Sequence, residues 1–305
     1  MHFNISDMNL SGEDFNFKFH AQAVNELRHT LAIGVINIIL SATALFGNAI
    51  ILVTIWKTSS LHSASYVLLS SLAASDLAVG LVVQPPFAIF LLLRTTNRGF
   101  HRSVAFFLTL VSLMNITAIA VDRLLALQLH LRYKAIVTTF RVKSVLIFIW
   151  VFAAVSAVPL ARIGQFIYYM YLPPAIYTCL LVLNFIVYCK IYLIVRHHRR
   201  QIQIQHHLHQ QQRQADDRNL ITRGRLKRSA VNTFLVYILL LVCYLPFSVQ
   251  LGILFLNLDL HQGSPTVFNV TLTLVFFNST LNPVFYCWRD RQIRTALKQL
   301  SSGLN

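Results

Sequence analysis

The sequence predicts an all-α membrane protein: a seven-transmembrane helix bundle with a short amphipathic eighth helix. Three observations carry this. Of the 305 residues, 56% are hydrophobic and 12% charged, about half the charge that a soluble domain normally carries. The apolar residues are gathered into seven long runs. About three quarters of the basic residues sit on alternate connections between those runs. Together these exclude a soluble globule, a disordered chain and a small disulfide-stapled scaffold.

Polar flanks delimit the runs near 30–56, 66–93, 99–127, 142–161, 166–195, 229–256 and 265–288. Each can cross a hydrocarbon core of about 30 Å as a helix rising about 1.5 Å per residue. None shows the alternation of a membrane β-strand. Residues 1–29 form a polar tail with sequons at Asn4-Ile5-Ser6 and Asn9-Leu10-Ser11, so Asn4 and Asn9 are the expected glycosylation sites. No cleavable leader is expected, because the first apolar run starts late and is long. Residues 196–228 form the third inner loop. Its Gln- and His-rich stretch at 201–214 reads as a solvated loop or a helical extension, since its histidines have no acidic or Cys partner for a metal. At the end, residues 289–305 form a membrane-surface helix and short tail. Ile293, Ala296, Leu297 and Leu300 make its apolar stripe, with Arg291, Arg294 and Lys298 on the polar side.

Twenty of the 26 Lys and Arg fall on one set of connections, from Lys57 through Arg123, Lys143 and Arg228 to Lys298. The positive-inside rule therefore puts the amino terminus outside and the carboxyl terminus in the cytosol of a multi-pass membrane protein. The net charge of +16 then describes a basic inner face suited to anionic membrane lipids, with no need of nucleic acid. Cys179, Cys189, Cys243 and Cys287 all lie within or at the end of apolar runs. They are expected to be buried thiols, with no disulfide.

Ionisable groups inside a span are costly and usually functional. Asp76 is the one acid deep in a span, about 16 Å from the inner end of the second run by helical rise. Ser112 lies at a similar depth on the third run, and Asn48, Asn278, Ser279 and Asn282 fall in the same layer. Such a layer suits a hydrated monovalent cation or a protonated Asp76, and equally a structural knot joining helices. Asp122 and Arg123 end the third run. Arg123 reads as a snorkelling side chain or as a latch that trades partners, with Tyr188 and Tyr286 near the same face. Pro246 kinks the sixth run about 17 residues, roughly 25 Å, from its inner end. A 20° swing there moves that end by about 9 Å. Pro283 loosens the seventh run in the same way, which suits a bundle opening on its inner side.

In chain order, GNAI (47–50), LAASDLAVG (72–80), DRLLALQLHLRY (122–133), Trp150, CYLP (243–246) and NSTLNPVFY (278–286) resemble the motifs of rhodopsin-like (class A) G-protein-coupled receptors. The resemblance runs from about residue 40 to 298. It implies a receptor without enzymatic chemistry that binds an extracellular ligand and activates heterotrimeric G proteins by opening its cytosolic face. It implies a sodium site at Asp76, Ser112, Asn278 and Asn282, with no other metal or cofactor. The implied activation switches are Asp122, Arg123, Tyr188, Tyr244, Pro246, Pro283 and Tyr286. The residues alone leave open an ion- or proton-coupled transporter, or a receptor-like protein with lost or constitutive signalling.

The chain departs from the family pattern at several places. Leu124 follows Arg123 where a tyrosine is usual, His130 replaces a common proline, and Tyr244 replaces a tryptophan. No acid occurs between Asp217 and Asp259, and Leu226 stands about where a carboxylate often opposes the latch arginine. Arg98 replaces the third helix's cysteine, the outer loop at 162–165 is very short, and the fifth helix has Leu180 where a proline is common. These traits look most like the melanocortin, adenosine and cannabinoid subgroups. Ala105 stands where amine receptors carry an aspartate, and the last run has no lysine for a retinal Schiff base. The candidate pocket is Pro86, Arg102, Ala105, Phe106, Phe247, Leu251 and Phe276. It forms an apolar cup rimmed by Arg94, Arg98, Arg102 and Arg162, suited to an acidic lipid or an acidic peptide.

Overall fold

The computed structural model describes residues 12–93, 99–129, 132–162, 166–208, 237–253 and 265–302. Among these the chain is almost wholly helical and no strand occurs. The main helices are α1 (Gly12–Lys57), α2 (Ala64–Leu93), α3 (Gly99–Leu129), α4 (Thr139–Arg162), α5 (Phe166–Leu208), α6 (Tyr237–Ile253), α7 (Pro265–Arg289) and α8 (Arg291–Ser302). Six of them are long and apolar enough to cross a membrane, and the described part of α6 is a shorter apolar helix. A one-turn helix, Tyr133–Ile136, joins α3 to α4. This is the seven-helix bundle the apolar runs predict. Asn4 and Asn9, and most of the third loop, lie outside the described residues.

Two helices run past their apolar runs. α1 begins at Gly12, inside the stretch expected to be tail, and α5 continues to Leu208, into the expected third loop. Residues 13–29 and 196–208 contain neither Pro nor Gly, so nothing interrupts the backbone ladder. The end of an apolar run marks the membrane boundary, and a helix has no reason to stop there.

α2 carries a π turn at Val79–Val83. Pro85 and Pro86 follow it and have no N–H to donate to the preceding turn, so the ladder widens just above Asp76. α3 is the central helix, touching α2, α4, α5 and α7, and it is the most buried of the long spans. Leu110, Leu113, Ile149, Tyr177, Leu240, Tyr244 and Val275 pack together around it. Large apolar side chains such as Phe46, Ile147, Leu193 and Val284 face outward, as a lipid solvent permits.

The cysteine expectation holds only for Cys243. Cys179 and Cys189 are exposed and Cys287 is half-buried. α5 buries Tyr177, Leu181, Asn184, Val187, Ile191 and Val195. This is one helical face, and it leaves residues 179 and 189 pointing away from the bundle.

α8 is set by its first residues. Asp290 breaks the helix between α7 and α8, and its Oδ1 accepts the backbone N–H of Gln292 (2.9 Å) and Ile293 (3.4 Å), an N-cap. The Arg294 guanidinium donates to the carbonyls of Trp288 (3.2 Å) and Cys287 (3.4 Å), which closes the end of α7. The predicted stripe faces protein more than lipid: Ile293 and Ala296 are buried against Ile51, Ile55, Leu61 and Leu69.

α1 and α2 meet at Gly80. A Cβ there would lie 3.1 Å from Ala44 Cβ, Leu45 N and Ser41 O, and the Ser41 hydroxyl donates to the Gly80 carbonyl at 2.6 Å. Two of the three obstructing atoms are backbone and cannot rotate away. Gly80→Ala should therefore part the helices and destabilise the bundle by about 1–3 kcal/mol. Thermal unfolding of the purified protein checks this, and an unchanged midpoint would show that the contact can relax.

Candidate functional site

The intramembrane acid is enclosed. Asp76 is fully buried; Ser112 Oγ on α3 donates to its Oδ1 at 2.8 Å and Asn282 Nδ2 on α7 to its Oδ2 at 2.6 Å. Ser279, on α7, is also buried. Asn48 on α1 extends the layer, its Nδ2 donating to the carbonyls of Ala44 (2.8 Å) and Ser279 (3.0 Å). Gly47 lets α1 come this close: a Cβ there would sit 3.0 Å from the Pro283 ring. Four helices thus share one polar layer, as helical depth predicted. Asn278, one turn before Asn282, is buried but leaves its Nδ2 without a partner.

No cationic side chain pairs with Asp76 among the described residues. Among the described residues the hydrogen bonds to the carboxylate come from neutral donors. The donor set fits a hard cation. Besides Asp76, Ser112 and Ser279, the Asn48 Oδ1 is buried with no hydrogen-bond partner and offers a further oxygen.

The second cluster lies at the far end of α3. Asp122 is buried, and its carboxylate accepts the Tyr133 hydroxyl at 2.5 Å and the Ser65 hydroxyl of α2 at 2.9 Å. Burial, followed by the bond to Asp122, raises the Tyr133 pKa above its ordinary value, so the phenol remains a donor. Arg123 is held loosely, its Nε 4.0 Å from Asp122 and its side chain 45% exposed. Neither Tyr188 nor Tyr286 hydrogen-bonds Arg123 among the described residues. Tyr188 lies against the Tyr237 ring of α6, centroids 5.2 Å apart, and the buried Tyr286 hydroxyl has no partner. Leu124, where the family pattern has tyrosine, packs on Val187, Ile191 and Val195, an apolar contact between α3 and α5.

At the opposite end the proposed cup is filled by its own side chains. Phe106, Phe247, Leu251 and Phe276 are buried. Phe106 and Phe247 both meet Tyr177, at 5.8 and 6.1 Å between ring centroids. Ala105 and Phe276 sit in an adjoining cluster with Phe87, and Pro86 is half-buried. Tyr244 lies beneath, 6.1 Å from Tyr177, and Pro246 is half-buried on the same helix. Arg102 is exposed; Arg94 and Arg98 lie outside the described residues.

Sequence reasoning missed several residues here. Tyr177 is the hub of the aromatic cluster and also hydrogen-bonds Thr109 at 2.7 Å. Polar pairs cross the bundle from Asn37 to Thr273 (2.9 Å), Asn184 to Thr117 (2.7 Å) and Thr271 to Gln250 (2.5 Å). At the Arg123 end, the Tyr66 hydroxyl reaches Asp290 at 3.0 Å. One signal was available: an amide or hydroxyl in an apolar run requires a partner.

A family profile described as 7 transmembrane receptor (rhodopsin family) matches residues 47–166 and 162–286. Among curated proteins, the chain is 24% identical to adenosine receptor A2a of Cavia porcellus over 87% of this chain and 71% of the relative. It is 25% identical to adenosine receptor A2b of Rattus norvegicus over 88% and 89%. It is also 25% identical to melanocortin receptor 4 of Danio rerio over 86% and 81%. Both subgroups are among those the missing outer disulfide and short loop pointed to.

Proposed function

The chain belongs to the rhodopsin family of seven-transmembrane receptors, and on that premise we propose how its bundle works as a G-protein-coupled receptor. The Arg123 end faces the cytosol and the aromatic cup faces outward, an orientation that the distribution of Lys and Arg supports; the membrane is the plasma membrane. A ligand entering from outside repacks Phe106, Tyr177, Tyr244 and Phe247. The α6 end then swings about Pro246, and Arg123 leaves Asp122 for the G protein. Ligand binding stabilises the open arrangement in proportion to its preference for that state.

The observation that carries this reading is the architecture of α3. One helix bears Ser112 in the Asp76 layer and the loosely held Arg123 eleven residues on, about 16 Å away. A shift of α3 against α2 and α7 is therefore felt at both places. Sodium held at Asp76, Ser112, Asn278 and Asn282 supplies a fixed positive charge that favours the closed layer. The ligand is an acidic lipid or peptide whose acid meets Arg102 and whose body fills the aromatic cup.

Stimulated exchange of guanine nucleotide on purified G proteins tests the function, first without ligand and then with acidic lipids and peptides. Because no acid lies between Asp217 and Asp259, the closed state lacks an opposing ion pair. Ligand-free exchange should therefore exceed that of mock membranes, and Leu226→Glu should lower it. Residue 226 lies outside the described residues. Basal exchange at the mock level would remove the constitutive reading. Arg102→Ala should weaken acidic ligands by about tenfold, the loss of one charge-assisted bond; unchanged affinity would remove the acidic-ligand reading.

A further inference from the structure

α1 and α2 lie against each other in a register set by small residues. The Ser41 hydroxyl donates to the Gly80 carbonyl at 2.6 Å. Two turns earlier on α1, a Cβ on Gly34 would sit 3.0 Å from Leu92 and 3.6 Å from the Ala88 carbonyl. Asn37 and Gln84 fall midway between these close contacts, so they share one level of the interface. The π turn at Val79–Val83 accounts for the local pairing. The Gln84 N–H bonds to the Val79 carbonyl. The Gly80 carbonyl, whose next donor would be Pro85, takes the Ser41 hydroxyl instead.

Both side chains are fully buried. Asn37 Nδ2 donates to the Ile33 carbonyl and to Thr273 Oγ1 of α7, each at 2.9 Å. The Ile33 carbonyl can only accept, so the Asn37 amide is fixed with its Oδ1 as the open atom. That Oδ1 has no hydrogen-bond partner, and neither do Nε2 and Oε1 of Gln84. Two open acceptors and one open donor thus stand at one level where three helices join. The Ser41 and Thr273 hydroxyls give their protons to the carbonyls of Gly80 and Asn269, so these do not reach the two acceptors. Ile33, Gly34, Ser41, Gly80, Ala88 and Thr273, which border this level, are all uncharged, and nothing there calls for an ion. The fitting occupant is neutral, donates and accepts, and is small enough for an interface held close at Gly34 and Gly80.

We propose that at least one buried water sits at this junction of α1, α2 and α7, donating to Asn37 Oδ1 and accepting from Gln84 Nε2. Asn37 carries the chain of hydrogen bonds on to Thr273, so it crosses all three helices. The level lies eight residues beyond Asp76 on α2, about 12 Å by helical rise, and is separate from the Asp76 layer. The inference rests on the fold and on nothing in the functional reading.

A crystal structure of the full chain in a lipidic phase, at a resolution that shows ordered water, is the first test. The expected result is a density peak within about 3.2 Å of both Asn37 Oδ1 and Gln84 Nε2. A direct bond between the two amides would overturn the proposal, and so would two separated amides with no peak between them. A peak with the short oxygen contacts of a bound cation would overturn it too. Thermal unfolding is the second test. Gln84→Met keeps the side chain's length and removes both polar atoms. If a water bridges the amides, this change displaces it and leaves Asn37 Oδ1 open, so the midpoint should fall by about 2–4 °C. A midpoint that rises marks an amide that was merely desolvated and overturns the proposal. Asn37→Leu should also lower the midpoint, and the double variant should lose less than the two single losses combined, because each removes the same water. Strict additivity would count against a shared water and overturn the bridge.

Discussion

Asp76→Ala should lower the stability of the purified receptor by about 3 kcal/mol and abolish its response to sodium. The carboxylate accepts from Ser112 and Asn282 at 2.8 and 2.6 Å. Bonds of this charge-assisted kind each contribute about 1.5–3 kcal/mol. Truncation leaves both donors buried and unpaired, and relief of the buried charge offsets only part of that loss. In wild type, sodium at ten times its dissociation constant should add about 1.4 kcal/mol of stability by mass action. The measurement is the unfolding midpoint with sodium and with a bulky organic cation in its place. Wild type should show a higher midpoint in sodium, and Asp76→Ala should show the same lower midpoint in both. A sodium response that survives the substitution would place the ion elsewhere. Equal stability of wild type and variant would mean that the layer contributes little to the fold.

Arg123→Ala should reduce nucleotide exchange, with or without ligand, by at least about tenfold, equivalent to about 1.4 kcal/mol of coupling. The existing contact explains why the guanidinium is free to act. At 4.0 Å and 45% exposed, the pair with Asp122 contributes less than about 1 kcal/mol, and Arg123 can leave it at little cost. Asp122 itself is anchored more firmly, by Tyr133 and Ser65. Asp122→Asn weakens those bonds and the hold on Arg123 together, so ligand-free exchange should rise several-fold. The two substitutions therefore act in opposite directions, which a general folding defect cannot produce. Exchange by Arg123→Ala that matches wild type would sink the latch.

The transverse layers of this bundle were readable because depth along a helix is a matter of counting. A rise of about 1.5 Å per residue from a membrane boundary puts Asp76, Ser112, Asn48 and Asn282 at one level, and the structure joins them there. The same counting placed Asp122 and Arg123 at the inner end. It failed at helix ends, since α1 and α5 continue where the apolar runs stop. It also failed for Cys179 and Cys189, whose direction depends on which face α5 turns to α3.

Lateral partners were less legible. Tyr133 looks like an ordinary loop residue until the one-turn helix at Tyr133–Ile136 folds it back onto Asp122. Asp290 reads as one more charge in a basic tail, yet it caps α8 and accepts from Tyr66 on α2. Tyr177 and the Gln250–Thr271 pair gave no sequence signal beyond being polar groups among apolar ones.

The sequence by itself determined that seven helices cross the bilayer, which end is basic, and at what depth each polar group sits, because these follow from composition and a fixed helical rise. Only the tertiary structure decided which side chains meet. That depends on how each helix is rotated and on how closely small residues such as Gly47 and Gly80 let neighbours approach, and both are settled by packing of the whole bundle.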